Sequence, residues 1–190
     1  MSESYYTYGD SGVLINKMNF REAAKAKKIE QIITTYRLQQ MMTAKKVLGS
    51  FDEEHIRRIH RRLFSDVYAW AGEFRTVDLA KGHTSFLPAA FIDRGLRHLR
   101  DSVQAKNKMT YRDRKAFAEA FAPIYNDLNH IHPFREGNGR TQREFIRQIA
   151  WHHGFDMKYT PLQQEKLFEA SVADDEKKAA AALVEALTES

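Results

Sequence analysis

The chain has 190 residues, 43% of them hydrophobic and 29% charged, with a formal net charge of +5. That size supports one well-buried core and is short for two, and the absence of cysteine excludes disulfides and thiolate metal sites. No apolar run reaches the length needed to span a bilayer, and the start, Met1 to Tyr6, has no basic stretch followed by an apolar core, so a single cytoplasmic domain over 1–190 with no membrane partner is expected.

Residues 1–19 are polar and aromatic, with Gly9 and Gly12 and no helical period, and read as an extended arm packing through Tyr5, Tyr6, Tyr8 and Leu14. From Phe20 to Leu48, Ile29, Ile32, Ile33, Tyr36 and Met41 return at helical spacing until Gly49. Ser50 and Glu53 make a capping box, and Ile56, Ile59, Leu63, Val67 and Trp70 predict a helix reaching Gly72. His60 falls on the apolar side of that helix and reads as a hydrogen-bonded core residue without a functional role. The arginines at 57, 58, 61 and 62 are interleaved with Asp52, Glu53 and Glu54. This is a solvated basic surface rather than a nucleic-acid footprint.

Between Phe74 and Leu87 the period shortens: Arg75, Val77 and Leu79 alternate with Thr76 and Asp78, and Lys81-Gly82 reads as a turn. A short hairpin is predicted, whose free edge must be covered or receive another strand. Pro88 precedes a helix with Phe91, Ile92, Leu96, Leu99 and Val103 facing inward, and Thr110 with Asp113 caps the next. In that next helix Phe117, Phe121, Ile124, Leu128 and Ile131 form a core stripe, interrupted by Pro123, where a kink or a broken first half is expected. A further helix runs from Asn138 to His153 and stops at Gly154. His152 and His153 point about 100° apart on it, and read as helix-end residues bonding the last carbonyls rather than as metal ligands. Thr160-Pro161 opens a helix with Leu162, Leu167 and Phe168, and Asp174, Asp175 and Glu176 precede a last helix with Leu183, Val184 and Leu187. The fold class is all-α with one small β-hairpin.

The segment His130-Ile131-His132-Pro133-Phe134-Arg135-Glu136-Gly137-Asn138-Gly139-Arg140-Thr141-Gln142-Arg143 concentrates the chemistry. Pro133 ends the incoming helix near His132. Gly137 and Gly139 bracket the start of the next, where unpaired backbone N–H groups suit an anion. Arg140 and Arg143 lie on one flank of that helix and overlook the same place.

From His132 to Arg143 this run matches every defined position of the pattern His-Pro-Phe-x-(Asp/Glu)-Gly-Asn-Gly-Arg-x-x-Arg, and so resembles the signature of Fic-domain proteins. A looser likeness covers a core of 51–154, where Ile59 to Phe64 and Trp70 to Arg75 look like the helix entering the family's flap. The arm at 1–19 resembles a leader, and 155–190 would supply C-terminal helices. The resemblance implies a Fic-type helical bundle and protein adenylylation (AMPylation): a Tyr, Ser or Thr hydroxyl of a target protein attacks the α-phosphorus of ATP and releases pyrophosphate. The family's flap corresponds to Lys81, Gly82, His83, Thr84, Ser85 and Phe86, which would align an extended stretch of the target by strand addition.

Such transfer needs a base, neutralisation of the triphosphate and in-line geometry. His132 can accept the hydroxyl proton. Glu136 is a hard oxygen donor suited to Mg²⁺. Backbone N–H groups near Gly137 and Gly139, the Asn138 side chain, and the forked donors of Arg140 and Arg143 can hold phosphates, while Phe134 anchors the loop. In Doc-type relatives with kinase activity a lysine replaces Gly139, so Gly139 speaks for AMP transfer. Transfer of UMP, phosphocholine or phosphate by the same machinery remains an alternative. From other classes come a metal-dependent phosphodiester hydrolase using His130, His132 and Glu136, and a non-catalytic basic module binding nucleic acid. Fic proteins are commonly silenced by a helix bearing Ser/Thr-x-x-x-Glu-Gly/Asn, whose glutamate pairs with the arginine corresponding to Arg143. Ser50 to Glu54 has the spacing but is followed by His55, and Ser4 to Tyr8 lacks the acid. A separate small helical antitoxin supplying that glutamate is therefore expected, with this chain as the toxin of the pair.

Overall fold

The computed structural model describes residues 5–44, 49–82 and 84–188. Among them are seven α-helices: α1 (Ala23–Ala44), α2 (Glu53–Phe64), α3 (Ile92–Asn107), α4 (Arg114–Ile131), α5 (Asn138–His152), α6 (Pro161–Val172) and α7 (Glu176–Ala186). The predicted hairpin is present but shorter than its alternation suggested: β1 (Ala80–Lys81) and β2 (Thr84–Ser85) pair antiparallel, and residues 75–79 are not strand. A second short pairing joins β3 (Asp156–Met157) to β4 (Leu187–Thr188) and ties the end of α7 to the exit of α5. Two residues per strand are too few for periodicity to reveal.

Helix α4 is the axis, packing against α3, α5, α6 and α7, while α2 joins α1, α3 and α5. Its stripe of Phe117, Phe121, Ile124, Leu128 and Ile131 is buried as expected, and the helix continues through Pro123. Tertiary packing on four sides outweighs the missing N–H there. Helix α5 is enclosed almost all round, so its polar residues pair internally. Arg147 grips Glu144 through two 2.7 Å bonds, Gln148 donates to Glu144 at 2.8 Å, and His55 Nε2 bonds Gln148 Oε1 at 2.8 Å.

Several local expectations are corrected. Asp52, not Ser50, caps α2 by accepting the His55 N–H, and α2 ends at Phe64. Val67 and Trp70 are still buried, but from turns beyond the helix. Asp113 alone caps α4, accepting the Ala116 N–H. Phe91 occupies a 3₁₀ turn (Ala89–Phe91) and is half exposed, and Leu162 and Phe168 face outward on α6. His153 uses its ring to bond Asn107 Oδ1 at 3.0 Å, and His152 leans on Phe51, so neither ring serves the last carbonyls of α5. The arm folds back on itself through the Thr7–Leu14 bridge and buries Tyr6, whose hydroxyl accepts the Thr76 N–H. Residues 45–48, the predicted end of the first long helix, lie outside the described residues.

Candidate active site

Helix α4 stops because His132 takes the left-handed conformation (φ 46°, ψ 59°) immediately before Pro133. Histidine is among the few non-glycine residues that visit this region readily. The turn places His132 Nδ1 3.2 Å from the Asn129 carbonyl. A carbonyl only accepts, so Nδ1 carries the proton and Nε2 keeps its lone pair. Burial lowers the pKa of His132 to about 4, helped by the positive charges of Arg75 and Lys81. The imidazole is thus neutral at physiological pH. The Phe86 ring stacks on it at 3.7 Å and 16°.

The following loop is held by its own amide. Asn138 Oδ1 accepts the Phe134 N–H at 2.8 Å and Nδ2 donates to the Phe134 carbonyl at 2.7 Å. This corrects the expectation that the Asn138 side chain serves an anion: it is buried and staples the loop. His60, expected to be a satisfied core residue, also reaches this loop. Its Nε2 donates to the Glu136 carbonyl at 3.0 Å, Nδ1 accepts the Gly72 N–H at 2.8 Å, and its ring stacks on Phe134 at 3.8 Å.

Gly137 (φ 80°) caps α5 with no side chain to cover the first N–H groups of the helix. A Cβ there would lie 2.2 Å from Phe64 Cζ, so only glycine fits. At Gly139 an added Cβ would meet Arg143 Nη1 at 3.2 Å. No partner is found among the described residues for the N–H groups of Asn138, Gly139 and Arg140, which present the positive end of α5 to an anion.

Around this helix start lie one carboxylate and two guanidinium groups. Glu136 Oε1 accepts the Gly137 N–H at 2.8 Å and lies 3.4 Å from Arg140 Nη2. Arg140 stacks 4.7 Å above Phe64, bonds Thr34 Oγ1 at 2.9 Å, and pairs with Glu30 of α1 at 2.6 Å. Glu30 is held in turn by the Tyr68 hydroxyl. The Arg143 guanidinium donates to the buried Tyr125 hydroxyl. A cleft of about 540 Å³ opens beside them, lined by Glu136, Arg140 and Arg143 on one side and by α1 and residues 12–16 of the arm on the other. Of the two arginines, Arg140 therefore carries an intramolecular carboxylate, and Arg143 faces the cleft with a neutral partner.

The hairpin adjoins His132 through Phe86, which directly follows β2 and stacks on the imidazole. Ala80 pairs with Ser85 and Lys81 with Thr84, and Lys81, Gly82 and Ser85 are exposed, with Lys81 Nζ 4.9 Å above the Phe168 ring. His83, included in the expected flap, lies outside the described residues. The donor set of the hydrolase reading is not assembled. His130 is exposed on α4, and no group of three or more His, Cys, Asp or Glu able to hold a metal occurs among the described residues.

A model of the Fic/DOC family matches residues 50–150. The chain belongs to the Fic/DOC family. It is 30% identical over 171 residues to the protein adenylyltransferase VbhT of Bartonella schoenbuchensis, an alignment covering 90% of this chain but 36% of that protein, so this chain spans about a third of VbhT. It is also 30% identical over 166 residues to y4lH of Sinorhizobium fredii, named a probable protein adenylyltransferase, covering 87% of this chain and 84% of that one. Among solved structures, the N-terminal Fic domain of a VirB-translocated Bep effector protein of Bartonella quintana, with bound ADP, superposes at a TM-score of 0.89. It is 25% identical and covers 100% of this chain and 97% of that one. The Fic signature and the helix that carries it are therefore assembled here on the family's fold.

Three contributors to this Fic site were not singled out by the sequence: Glu30, Tyr125 and Arg75. Glu30 sits in a lysine-rich helix and Tyr125 on a core stripe, where neither type is unusual. Arg75 alternates with apolar neighbours in what read as strand, yet its guanidinium is buried. A charged residue at a core-facing register position is the one cue that pattern offers.

Proposed function

We infer that this Fic protein is a protein adenylyltransferase that moves AMP from ATP to a Tyr, Ser or Thr hydroxyl of a target protein. The observation that carries the reading is the loop that joins His132, whose Nδ1 is engaged by the Asn129 carbonyl so that Nε2 keeps its lone pair, to the uncapped start of α5, where Glu136, Arg140 and Arg143 line one cleft. The acceptor oxygen attacks the α-phosphorus, the bond from that phosphorus to the bridging oxygen of the β-phosphate breaks, and the hydroxyl proton passes to Nε2 as pyrophosphate leaves. The N–H groups of Asn138, Gly139 and Arg140 hold the anion, Arg140 and Arg143 neutralise the triphosphate, and Gly137 permits the close approach of the loop to Phe64.

Glu136 fits Mg²⁺. It is a half-exposed carboxylate beside a phosphate cradle, and this ion takes one or two protein carboxylates together with phosphate oxygens and water. When bound it would spread phosphate charge; the proton transfer belongs to His132. The exposed edge of the hairpin, Lys81 to Ser85, receives an extended stretch of the target, and Phe86 orients His132 beneath it. This reading takes residues 1–190 as one Fic unit, acting in the cytoplasm where ATP is at hand. Its regulator is a small helical antitoxin whose glutamate enters the cleft at Arg143, because the carboxylate the chain itself supplies there, Glu30, engages Arg140 instead.

The test is label transfer in bacterial lysate with Mg²⁺ and ATP labelled at either the α or the γ position. Adenylylation predicts α-label on a protein band, lost in His132→Ala. Transfer of γ-label alone would make the enzyme a kinase. Strong activity of the purified chain, silenced by a partner bearing the glutamate, supports the antitoxin. Activation by a mutation within these 190 residues would refute it.

A further inference from the structure

The guanidinium of Arg75 is buried and takes no part in binding phosphate or moving the proton. No ion pair with a carboxylate is found for it among the described residues; the nearby Asp78 spends Oδ1 on the Ala89 N–H at 2.7 Å. Burying a charge without a counter-ion is costly, and desolvation pulls its pKa below the usual arginine value. What compensates is a set of four carbonyls. Nε donates to His132 at 2.8 Å, Nη1 to Val77 at 2.6 Å, and Nη2 to Leu87 at 2.5 Å and Ile131 at 3.2 Å. The backbone N–H of Arg75 adds a bond to the Pro133 carbonyl at 2.9 Å.

These acceptors fall into two groups. Ile131 and His132 end α4, where carbonyls lack helical partners and the dipole favours a cation. Val77 and Leu87 flank the hairpin at its root. Only a planar fork with five donors can span both groups, since a lysine ammonium donates from one point. The Leu87 N–H to His130 carbonyl bond, at 3.0 Å, and the Phe86 stack on His132 run parallel to it.

We propose that Arg75 is a positioning residue that locks the hairpin root and the His132 turn into one rigid body, so that a target strand laid on the hairpin arrives in register with Nε2. This rests on the adenylyltransferase reading for its purpose, though not for its structural content. A misplacement of about 1 Å can cost on the order of 100-fold in rate.

The experiment compares wild type, Arg75→Lys and Arg57→Lys, the last altering a neighbouring arginine that stacks on Phe74 instead. Amide exchange is followed at Phe86, Leu87 and His132, with Thr141 in α5 as internal reference. In Arg75→Lys the first three amides should exchange faster together, by about tenfold or more, while Thr141 and affinity for the Mg²⁺ complex of a non-hydrolysable ATP analogue stay within about twofold; tenfold corresponds to about 1.4 kcal/mol. Transfer of α-label should fall about 100-fold, and Arg57→Lys should change neither. Faster exchange in the hairpin with His132 unaffected, or near wild-type transfer by Arg75→Lys, overturns the proposal. Should the variant not fold, exchange of wild type in rising denaturant decides: Leu87 and His132 must open in one event with a common free energy, and separate openings refute the lock. If wild type transfers no AMP, the functional reading fails, and the exchange results still judge Arg75.

Discussion

The loop of 131–137 and the hairpin of 80–85 meet where Phe86 stacks on His132, and they are held in opposite ways. Side chains pin the loop, two of them from far away in sequence, His60 on the Glu136 carbonyl and Arg75 on Ile131 and His132, and one from its own end, Asn138 on both polar groups of Phe134. The hairpin has two residues in each strand, an exposed tip, and ties at its root. The chemical half of the site is thus preorganised, as transition-state stabilisation requires. The half proposed to receive the target is left able to adapt, as loops and edges that bind partners often are.

The largest break in that contrast should come from the base. His132→Ala should lower label transfer by about 100- to 10,000-fold, the range general-base catalysis commonly supplies. Affinity for ATP should hardly change, since the base acts in the transition state and not in the ground state. Single-turnover labelling and calorimetry separate the two; near wild-type transfer would remove His132 from the mechanism.

Next comes the rigid side itself. Gly137→Ala puts a Cβ 2.2 Å from Phe64 Cζ in a left-handed residue. We expect a loss of about 2–5 kcal/mol, from overpacking and a positive φ together. Urea unfolding measures it, and a loss below 1 kcal/mol would mean that the loop is softer than its bonds imply. Glu136→Ala should leave stability nearly intact and instead raise the Mg²⁺ needed for half-maximal transfer, because the loop keeps its other ties.

The same division governs what the sequence made legible. The motif 132–143 could be read because its chemistry is contiguous and its glycines and proline constrain backbone directly. The helices with clean stripes, α3 and α4, followed from period alone. What escaped was non-local. Arg75, Glu30 and Tyr125 act through partners about 55, 110 and 18 residues away, and spacing within a helix or strand carries no trace of such pairings. The end of α2 at Phe64 escaped for a related reason: Val67 and Trp70 are buried at helix-like spacing while lying in turns, so burial mimicked period.

Titration probes the buried side next. His60 is held neutral by burial, with its pKa lowered to about 3, and His132 to about 4. Between pH 6.5 and these values the unfolded chain binds protons that the folded chain does not, so stability should fall as pH drops through that window. Each such histidine contributes a slope of about 1.4 kcal/mol per pH unit. For activity the sign is the same, because the base must be neutral. Transfer should hold level through pH 6 and fall only toward pH 4, whereas an ordinary histidine would begin to fail near 6.5. An acid limb at 6.5 would mean that His132 is more open to water than its stack on Phe86 allows.

The smallest effect, and the sharpest test of the contrast, is the same substitution made on the soft side. Gly82 also has a positive φ, 60°, yet a Cβ there meets nothing within 4 Å. Gly82→Ala therefore carries only the conformational cost, about 1 kcal/mol, confined to an exposed tip that opens locally without unfolding the core. Global stability and ATP affinity should match wild type. The cost should appear as a KM for the target protein raised by up to roughly fivefold, the equivalent of 1 kcal/mol, with kcat retained. A matching fall in kcat would mean that the tip as well as the root helps to position His132, and the boundary between the two halves would then lie beyond Arg75.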